Sequence, residues 1–398
     1  MYRAGVSEPE LKPEPNATLP QLREAIDAID DELLDLLNRR AGLVERVGLL
    51  KQKTEQPFFV PGREQQILER LALRNQQQHG AFPTEAIPAV WKEIVSACLS
   101  LEKSLRIAFL GPEATFTHAA ARQRFGLSAR YLSCGTVAQV FREVERGEAD
   151  LGCVPVENST EGVVSSTLDV FLESSLTIVS EVVLRIRHNL VGSPALGDMS
   201  QVTKVYSHPQ ALAQGARLLE ANLPLASRVE VASTALAAQL ARDDSHGAAI
   251  ASDLAARLYD LKIVRAHIED ESNNVTRFLV VSKQPQPRTR RDKTSLMFSV
   301  SDEPGVLYRV LRPLADRRVN LSRIESRPSR RRPWEYVFFV DLDGHRDDAE
   351  VKAGIEEVAA ACERFKILGS YPRAEQTETL SSDEPQGSKG KADDETAG

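Results

Sequence analysis

The chain has 398 residues, 42% of them hydrophobic and 27% charged, which is too long for one compact core and ordinary for several globular domains. Its formal net charge is −7, of which the C-terminal stretch supplies about −5 through seven carboxylates (Glu375, Glu378, Asp383, Glu384, Asp393, Asp394, Glu395) set against Lys389 and Lys391. The remainder is near neutral and lacks long apolar runs, which excludes a basic nucleic-acid footprint and a bilayer span.

Residues 1–17 and 374–398 are polar and poor in aromatics, so both ends are expected to be disordered. Met1 to Asn16 has no apolar core of a signal peptide. Cys98, Cys134, Cys153 and Cys362 are dispersed and form no CxxC pair, so reduced thiols, a cytoplasmic location and no metal site are expected. Thr18-Leu19-Pro20-Gln21 reads as a capping box with Pro in the first turn. A helix to about Thr54 follows, with an apolar stripe at Leu22, Ile26, Ile29, Leu33, Leu37, Val44 and Val47. Arg40 and Lys51 fall on that stripe. Two cations on a core stripe with no carboxylate on the same stripe point to a bound anion; the competing reading is that both snorkel from a helix edge. Helices from about Arg63 to Gln78 and from Thr84 to Lys103 complete a three-helix unit whose core is thin for so long a first helix.

From Leu105 short apolar strands (Ile107–Leu110, Leu151–Val154, Val202–Tyr206, Ala248–Ala251, Phe278–Val281) alternate with helical stretches. That alternation predicts parallel sheets with crossover helices, sized for two α/β lobes around a cleft. Gly111 to His118 joins a strand to a helix and offers N–H groups and hydroxyls to an anion. Glu157-Asn158-Ser159-Thr160 and Ser207-His208 end two further strands, and strand ends meeting at a crevice are the expected α/β ligand site. Thr276-Arg277 leads into the strand Phe278–Val281, setting a hydroxyl and a guanidinium where the strand meets the cleft. Gln284–Lys293 is a linker rich in Pro and Arg, after which the order strand, helix, strand, strand, helix, strand reads as a ferredoxin-like βαββαβ unit. Gly305 opens its first helix, where a backbone can approach a ligand closely. Glu325-Ser326-Arg327-Pro328 ends its second strand; the plainer alternative there is a charged turn before Arg330 to Arg332.

Four strings in this order resemble the signatures of prephenate dehydratase with its ACT regulatory domain: Pro155-Val156-Glu157-Asn158-Ser159, Tyr206-Ser207-His208-Pro209-Gln210, Asn274-Val275-Thr276-Arg277-Phe278 and Ile324-Glu325-Ser326-Arg327-Pro328. Residues 19–103 resemble the all-helical chorismate mutase module, so the whole resembles the bifunctional chorismate mutase/prephenate dehydratase family. The resemblance implies a helical mutase over 18–104, a two-lobed, periplasmic-binding-protein-like α/β dehydratase over 105–284 and an α+β ACT domain over 294–373. It implies chorismate, prephenate and L-phenylalanine as ligands, no cofactor, and a homodimer or homotetramer in which mutase helices are exchanged.

Chorismate rearrangement is pericyclic, so the site must hold a compact dianion and stabilise charge on the breaking ether oxygen. The resemblance assigns that to Arg23 of a partner copy, Arg40, Lys51, Arg63, Glu64, Cys98 and Glu102, with Glu64 on a substrate hydroxyl and Glu102 at the ether oxygen. Many relatives have Asp, Ser and Gln where this chain has Val60, Cys98 and Glu102. An ionised Glu102 repels the ether oxygen, so the mutase is expected to favour acidic pH; the alternative for Glu102 is a solvated helix-end carboxylate. Prephenate dehydration expels water and carbon dioxide and requires a proton donor at the leaving hydroxyl. The resemblance places Thr276 there, with Glu157, Asn158, Ser159, Ser207, His208, Gln214 and Arg277 around the substrate. Arg277 is read equally as carboxylate anchor or structural cation, and His118 and His208 as proton sources or as caps and packed rings. Ala114 stands where relatives usually have Gly. A phenylalanine site between ACT domains is implied at Gly305, Val306, Leu307, Glu325, Ser326 and Arg327. A dehydratase with a decayed mutase and a non-enzymatic amino-acid sensor are the alternatives; Thr276-Arg277-Phe278 favours an enzyme.

Overall fold

The computed structural model describes residues 17–54, 58–329 and 335–374. Apart from residues 17 and 374, the two ends expected to be disordered lie outside the described residues, as does Arg330 to Arg332. No described helix is long and apolar enough to cross a membrane.

Helix α1 (Leu19–Thr54) begins where Thr18 N donates to Gln21 Oε1 at 2.8 Å. The Thr18 hydroxyl donates to the same oxygen at 2.9 Å, so half of the expected capping box forms. Ile26, Ile29, Leu33 and Leu37 on the apolar stripe remain 56%, 44%, 51% and 38% exposed. Helices α2 (Pro61–Gln77) and α3 (Ile87–Glu102) are shorter. Gly48 of α1 is buried against α3, where a Cβ would stand 3.1 Å from Glu102.

The first α/β lobe runs β1 (Arg106–Leu110), α4 (Phe116–Phe125), β2 (Arg130–Cys134), α5 (Val137–Arg146), β3 (Leu151–Asn158), β4 (Gly162–Val163), α6 (Ser165–Phe171) and β5 (Thr177–Arg185). The chain then crosses to a second lobe of β6 (Asn189–Gly192), β7 (Lys204–Ser207), α7 (Pro209–Gln214), α8 (Ala216–Asn222), β8 (Ser227–Glu230), α9 (Thr234–Asp243), β9 (Gly247–Ala251), α10 (Asp253–Leu258) and β10 (Lys262–Arg265). It returns through β11 (Val275–Ser282) into the first sheet, whose order is β2-β1-β3-β11-β5 with β4 on β3; the second sheet is β10-β6-β9-β7-β8. The two crossing segments bond to each other, Ile186 N to Asn274 O and Ile268 N to His188 O, both at 2.8 Å.

The expected parallel pairing holds for β1 with β2 and β3 and for β7 with β8 and β9. It fails for β11, antiparallel to β3 and β5, and for β6, antiparallel to β9 and β10. The chain leaves the first lobe along β5 and re-enters along β11, so those strands must run in opposite senses. Strand β11 also starts at Val275, ahead of the expected Phe278. Thr276 and Arg277 are therefore inside the strand, in register with Asn158 and Glu157 of β3.

The last unit is β12 (Asp292–Ser299), α11 (Val306–Asp316), β13 (Leu321–Pro328), β14 (Tyr336–Asp343), α12 (Ala349–Ala360) and β15 (Arg364–Pro372), with sheet order β13-β14-β12-β15. It packs on the first lobe so closely that a Cβ at Gly369 of β15 would lie 2.2 Å from Ile178 O of β5. Met297, Phe339, Leu368 and Tyr371 share one buried cluster with Val156, Phe171, Ile178 and Leu279. One hydrophobic core thus spans both modules.

Candidate active sites

A hydrogen-bond chain crosses the lobe junction. Asn158 Nδ2 donates to Thr276 Oγ1 and to Asn274 Oδ1, both at 2.7 Å. Asn158 Oδ1 accepts from Thr160 N at 2.9 Å and Glu161 N at 3.0 Å, so this amide is satisfied and its orientation fixed. Asn274 Nδ2 donates to Gln214 Oε1 at 3.1 Å, and His188 Nε2 lies 2.8 Å from the same oxygen. Burial lowers the titration point of His188 against the opposing Gln214 bond and Glu269 charge, and a proton on Nε2 matches the Gln214 oxygen it faces. Two groups in this chain keep unspent hydrogens. The Thr276 hydroxyl accepts from Asn158, and its own hydrogen meets no acceptor among the described residues. The buried Gln214 Nε2 has no partner among the described residues. Buried donors without acceptors are costly, so this is where a substrate's oxygens fit.

Sequence reasoning marked Thr276, Asn158 and Gln214 and missed His188 and Asn274 as members of the chain. Asn274 opens the Asn274-Val275-Thr276-Arg277-Phe278 motif, and Arg187-His188-Asn189 interrupts two apolar strands. That polar break between strands was the available signal.

Other expected residues serve the backbone. Ser159 Oγ accepts from Val275 N at 2.9 Å and donates to Asn273 O at 3.3 Å. Ser207 is fully buried and donates to Ile250 O at 2.9 Å. His208 caps α7, its Nδ1 accepting from Gln210 N at 3.4 Å. His118 stacks on Phe109 with 4.5 Å between ring centroids, and its Nδ1 accepts from Ala114 N at 3.1 Å. Burial, helped by the Arg122 charge, lowers its pKa to about 4, so at neutral pH it has no acidic proton to give. Ala114 has φ +67°, the left-handed region that favours the glycine expected here from the resemblance.

Two of the expected substrate ligands are held by the C-terminal module instead. Arg277 Nε bonds Glu181 Oε2 at 2.7 Å, its Nη1 bonds Asp341 Oδ2 at 2.6 Å and its Nη2 bonds Tyr371 Oη at 2.9 Å. Burial opposes its charge, but the Tyr371, Asp341 and Glu181 oxygens outweigh that and hold it firmly protonated. Lys293 Nζ reaches both Glu181 oxygens at 3.1 Å, and Ser295 donates to Asp341 Oδ1 at 2.5 Å. Of the two readings of Arg277, this geometry fits the structural cation: every one of its nitrogens is engaged. Glu157 pairs with Arg323 of β13 at 2.9 Å.

In the helical unit Lys51 Nζ meets Glu102 Oε2 at 2.9 Å and Phe58 O at 3.1 Å. Glu102 is thus a largely buried ion-pair partner, unlike a solvated helix-end carboxylate. Arg40 Nη1 is buried with no partner among the described residues, which fits an absent anion better than snorkelling. Cys98 is buried on α3, while Arg23 and Arg63 are exposed. Glu64, expected to bind a substrate hydroxyl, bonds Arg124 of α4 through Oε2 at 2.5 Å.

In the C-terminal module Gly305 takes φ +74° and caps α11, with Val306 and Leu307 packed on that module's core. Edge strand β13 turns Ile324 and Ser326 outward. Arg327 faces the first lobe, its guanidinium bonding Ser165 and lying 3.4 Å from Asp169.

Fold and sites together define a two-site enzyme with an attached regulatory-type module. Family models match in the same order: chorismate mutase type II over 22–103, prephenate dehydratase over 107–286 and the ACT domain over 294–360. The bifunctional chorismate mutase/prephenate dehydratase of Aquifex aeolicus (strain VF5) is 48% identical over 357 residues, covering 89% of this chain and 98% of that protein. The Pseudomonas aeruginosa enzyme of the same description is 42% identical over 362 residues, with the same two coverages of 89% and 98%. Among solved structures, a prephenate dehydratase from Arthrobacter aurescens in complex with L-Phe has a TM-score of 0.63 at 36% identity, covering 68% of this chain and 90% of that one.

The chain belongs to the bifunctional chorismate mutase/prephenate dehydratase family. It rearranges chorismate to prephenate and converts prephenate to phenylpyruvate by decarboxylative dehydration, on the path to phenylalanine.

Proposed function

We propose that dehydration occurs at the lobe junction, with Thr276 donating its hydrogen to the departing ring hydroxyl and Gln214 binding a substrate oxygen through Nε2. The observation that supports this most is the pair of unspent donors at Thr276 and Gln214 on one hydrogen-bond chain. Asn158 donates into the Thr276 oxygen, which leaves the hydroxyl hydrogen to point elsewhere. The departing oxygen takes a proton and leaves as water, the ring carboxylate leaves as carbon dioxide, and aromatisation of the ring drives both. A threonine hydroxyl is a very weak acid, so its part is a hydrogen bond to the leaving group, with solvent as the ultimate proton source.

In the mutase, Arg40 and Lys51 hold the dianion together with Arg23 from a second copy. The exposed apolar stripe of α1 supports a dimer built by helix exchange, since Ile26, Ile29 and Leu33 are uncovered in one chain. Lys51 and Glu102 meet at 2.9 Å, so a cation and a carboxylate share the place where the ether oxygen gains charge. An ionised carboxylate opposes that charge. Glu102→Gln keeps the shape and supplies a permanent donor, so it raises mutase turnover at neutral pH while dehydratase rates stay the same. A Glu102→Gln variant with unchanged or lower mutase turnover removes Glu102 from the ether oxygen.

The C-terminal module is a phenylalanine sensor in this reading. L-phenylalanine binds between neighbouring ACT domains, against the Gly305 turn, the half-buried Val306 and Leu307, and the outward Ile324 and Ser326 of the edge strand. It slows dehydration because it favours a less active state through its differential affinity. The Arg277 and Glu157 bonds to β14, β15 and β13 supply a route from that module to the strands of Thr276 and Asn158. Calorimetry of the full chain with L-phenylalanine gives a binding heat that Ser326→Ala weakens, together with slower prephenate turnover. No heat and unchanged turnover at millimolar-scale ligand exclude the sensor.

A further inference from the structure

The N-terminus of α2 is grafted onto the first α/β lobe. Phe59 is buried in the same cluster as Phe109, Phe125 and Val280, with its ring 5.0 Å from that of Phe125. Pro61 and Gly62, the first two residues of α2, are buried. Ser96 of α3 donates to Phe125 O at 2.6 Å, and Leu127 N donates to Glu93 Oε2 at 3.0 Å. At the centre of this contact is Arg124, near the C-terminus of α4. Its guanidinium lies 4.8 Å from the Phe59 ring centroid and its Nε donates to Ser180 Oγ at 3.3 Å. Its Nη1 pairs with Glu64 Oε2 at 2.5 Å, and the two side chains are only 16% and 15% exposed. Three elements therefore fix the arginine, and the arginine fixes one oxygen of Glu64. Glu64 Oε1 has no recorded hydrogen bond among the described residues.

We propose that Arg124, a residue of the dehydratase lobe, is a positioning residue of the mutase: it clamps Glu64 Oε2 so that Oε1 accepts the ring hydroxyl of chorismate. The proposal rests on the reading of Glu64 as a substrate ligand. A free glutamate in the first turn of a helix samples several rotamers, whereas a charge-assisted bond to a stacked guanidinium selects one. The mutase site is then complete only with its neighbour's arginine in place, so the two activities share a structural part although their reacting atoms are separate.

The test is steady-state kinetics of the full chain with both substrates. Arg124→Met keeps an unbranched apolar cover on Phe59 and removes the charge; Arg124→Lys keeps the charge. Arg124→Met raises KM for chorismate about tenfold with kcat little changed, because it loosens binding of the ground and transition states alike. Arg124→Lys recovers most of that loss, and prephenate turnover is unchanged in both. For a chorismate analogue lacking the ring hydroxyl, the inhibition constants of wild type and Arg124→Met agree. Glu64→Gln is the reference. If it leaves KM for chorismate unchanged, the reading of Glu64 fails and the proposal with it. If Glu64→Gln raises KM and Arg124→Met does not, the clamp alone is overturned. Equal loss of both activities in Arg124→Met, or a penalty that persists with the analogue, reduces Arg124 to a structural contact and also overturns it.

Discussion

Thr276→Ala lowers kcat/KM for prephenate by about a thousandfold and leaves chorismate rearrangement within about twofold of wild type. The substitution removes one hydrogen-bond donor and a methyl from a buried strand position, and the strand keeps its ladder to β3 and β5. Asn158 keeps its bonds to Asn274, Thr160 and Glu161, so its amide stays oriented while the donor it served is gone. The mutase is spared because Lys51, Glu102 and Arg40 lie on other elements. Assaying each substrate separately on the folded variant decides the matter. Parallel loss of both activities means that Thr276 maintains the fold and does not serve the leaving group.

Arg277→Met destabilises the chain by about 3–5 kcal/mol, since removing one partner of a buried ion pair strands the others. The stranded groups are Glu181 and Asp341, whose side chains are 2% and 6% exposed. Lys293 compensates Glu181 in part, and Ser295 donates to Asp341, which holds the loss toward the lower end of that range. An acid limb should change as well. Burial pushes the Asp341 carboxyl up, but Arg277 and Ser295 outweigh burial and hold it below its ordinary value. As pH falls, the unfolded chain therefore takes up that proton first. The stability from this group is complete above the ordinary carboxylate value near 3.9 and is lost as pH drops through the lower folded value. In Arg277→Met that loss shrinks. Denaturant unfolding at neutral and acidic pH measures both effects; a variant within about 1 kcal/mol of wild type contradicts the buried network. The same variant should blunt inhibition by L-phenylalanine, because Arg277 joins the strand of Thr276 to β14 and β15.

Much of the fold was legible in the chain. The apolar stripe of α1, carrying Arg40 and Lys51, announced a helix that its own chain does not cover, and the last unit has the expected βαββαβ order. The direction of β11 was not legible. A strand buried on both faces reads the same in either sense, and only the crossing of the chain between lobes fixes it. Within the site, Asn158 and Thr276 stood in separate strings, and nothing local told that the register would set them side by side. Arg277 was harder still. Its partners Glu181, Asp341 and Tyr371 lie 96, 64 and 94 residues away in sequence and belong to no motif, so the chain alone left ligand anchor and structural cation equally open. Nor was it legible that Glu64 and Glu157 each pair with an arginine of a neighbouring module, Arg124 and Arg323. At Ala114 the positive φ favours glycine, and nothing in the structure explains the alanine.

The most direct test of the whole account is to give the purified chain chorismate alone and follow its ultraviolet absorbance and the formation of phenylpyruvate. The account predicts that chorismate disappears, that prephenate passes through, and that phenylpyruvate accumulates, with L-phenylalanine slowing the second step. Chorismate that persists while added prephenate is consumed would mean a decayed mutase; persistence of both substrates would contradict the account entirely.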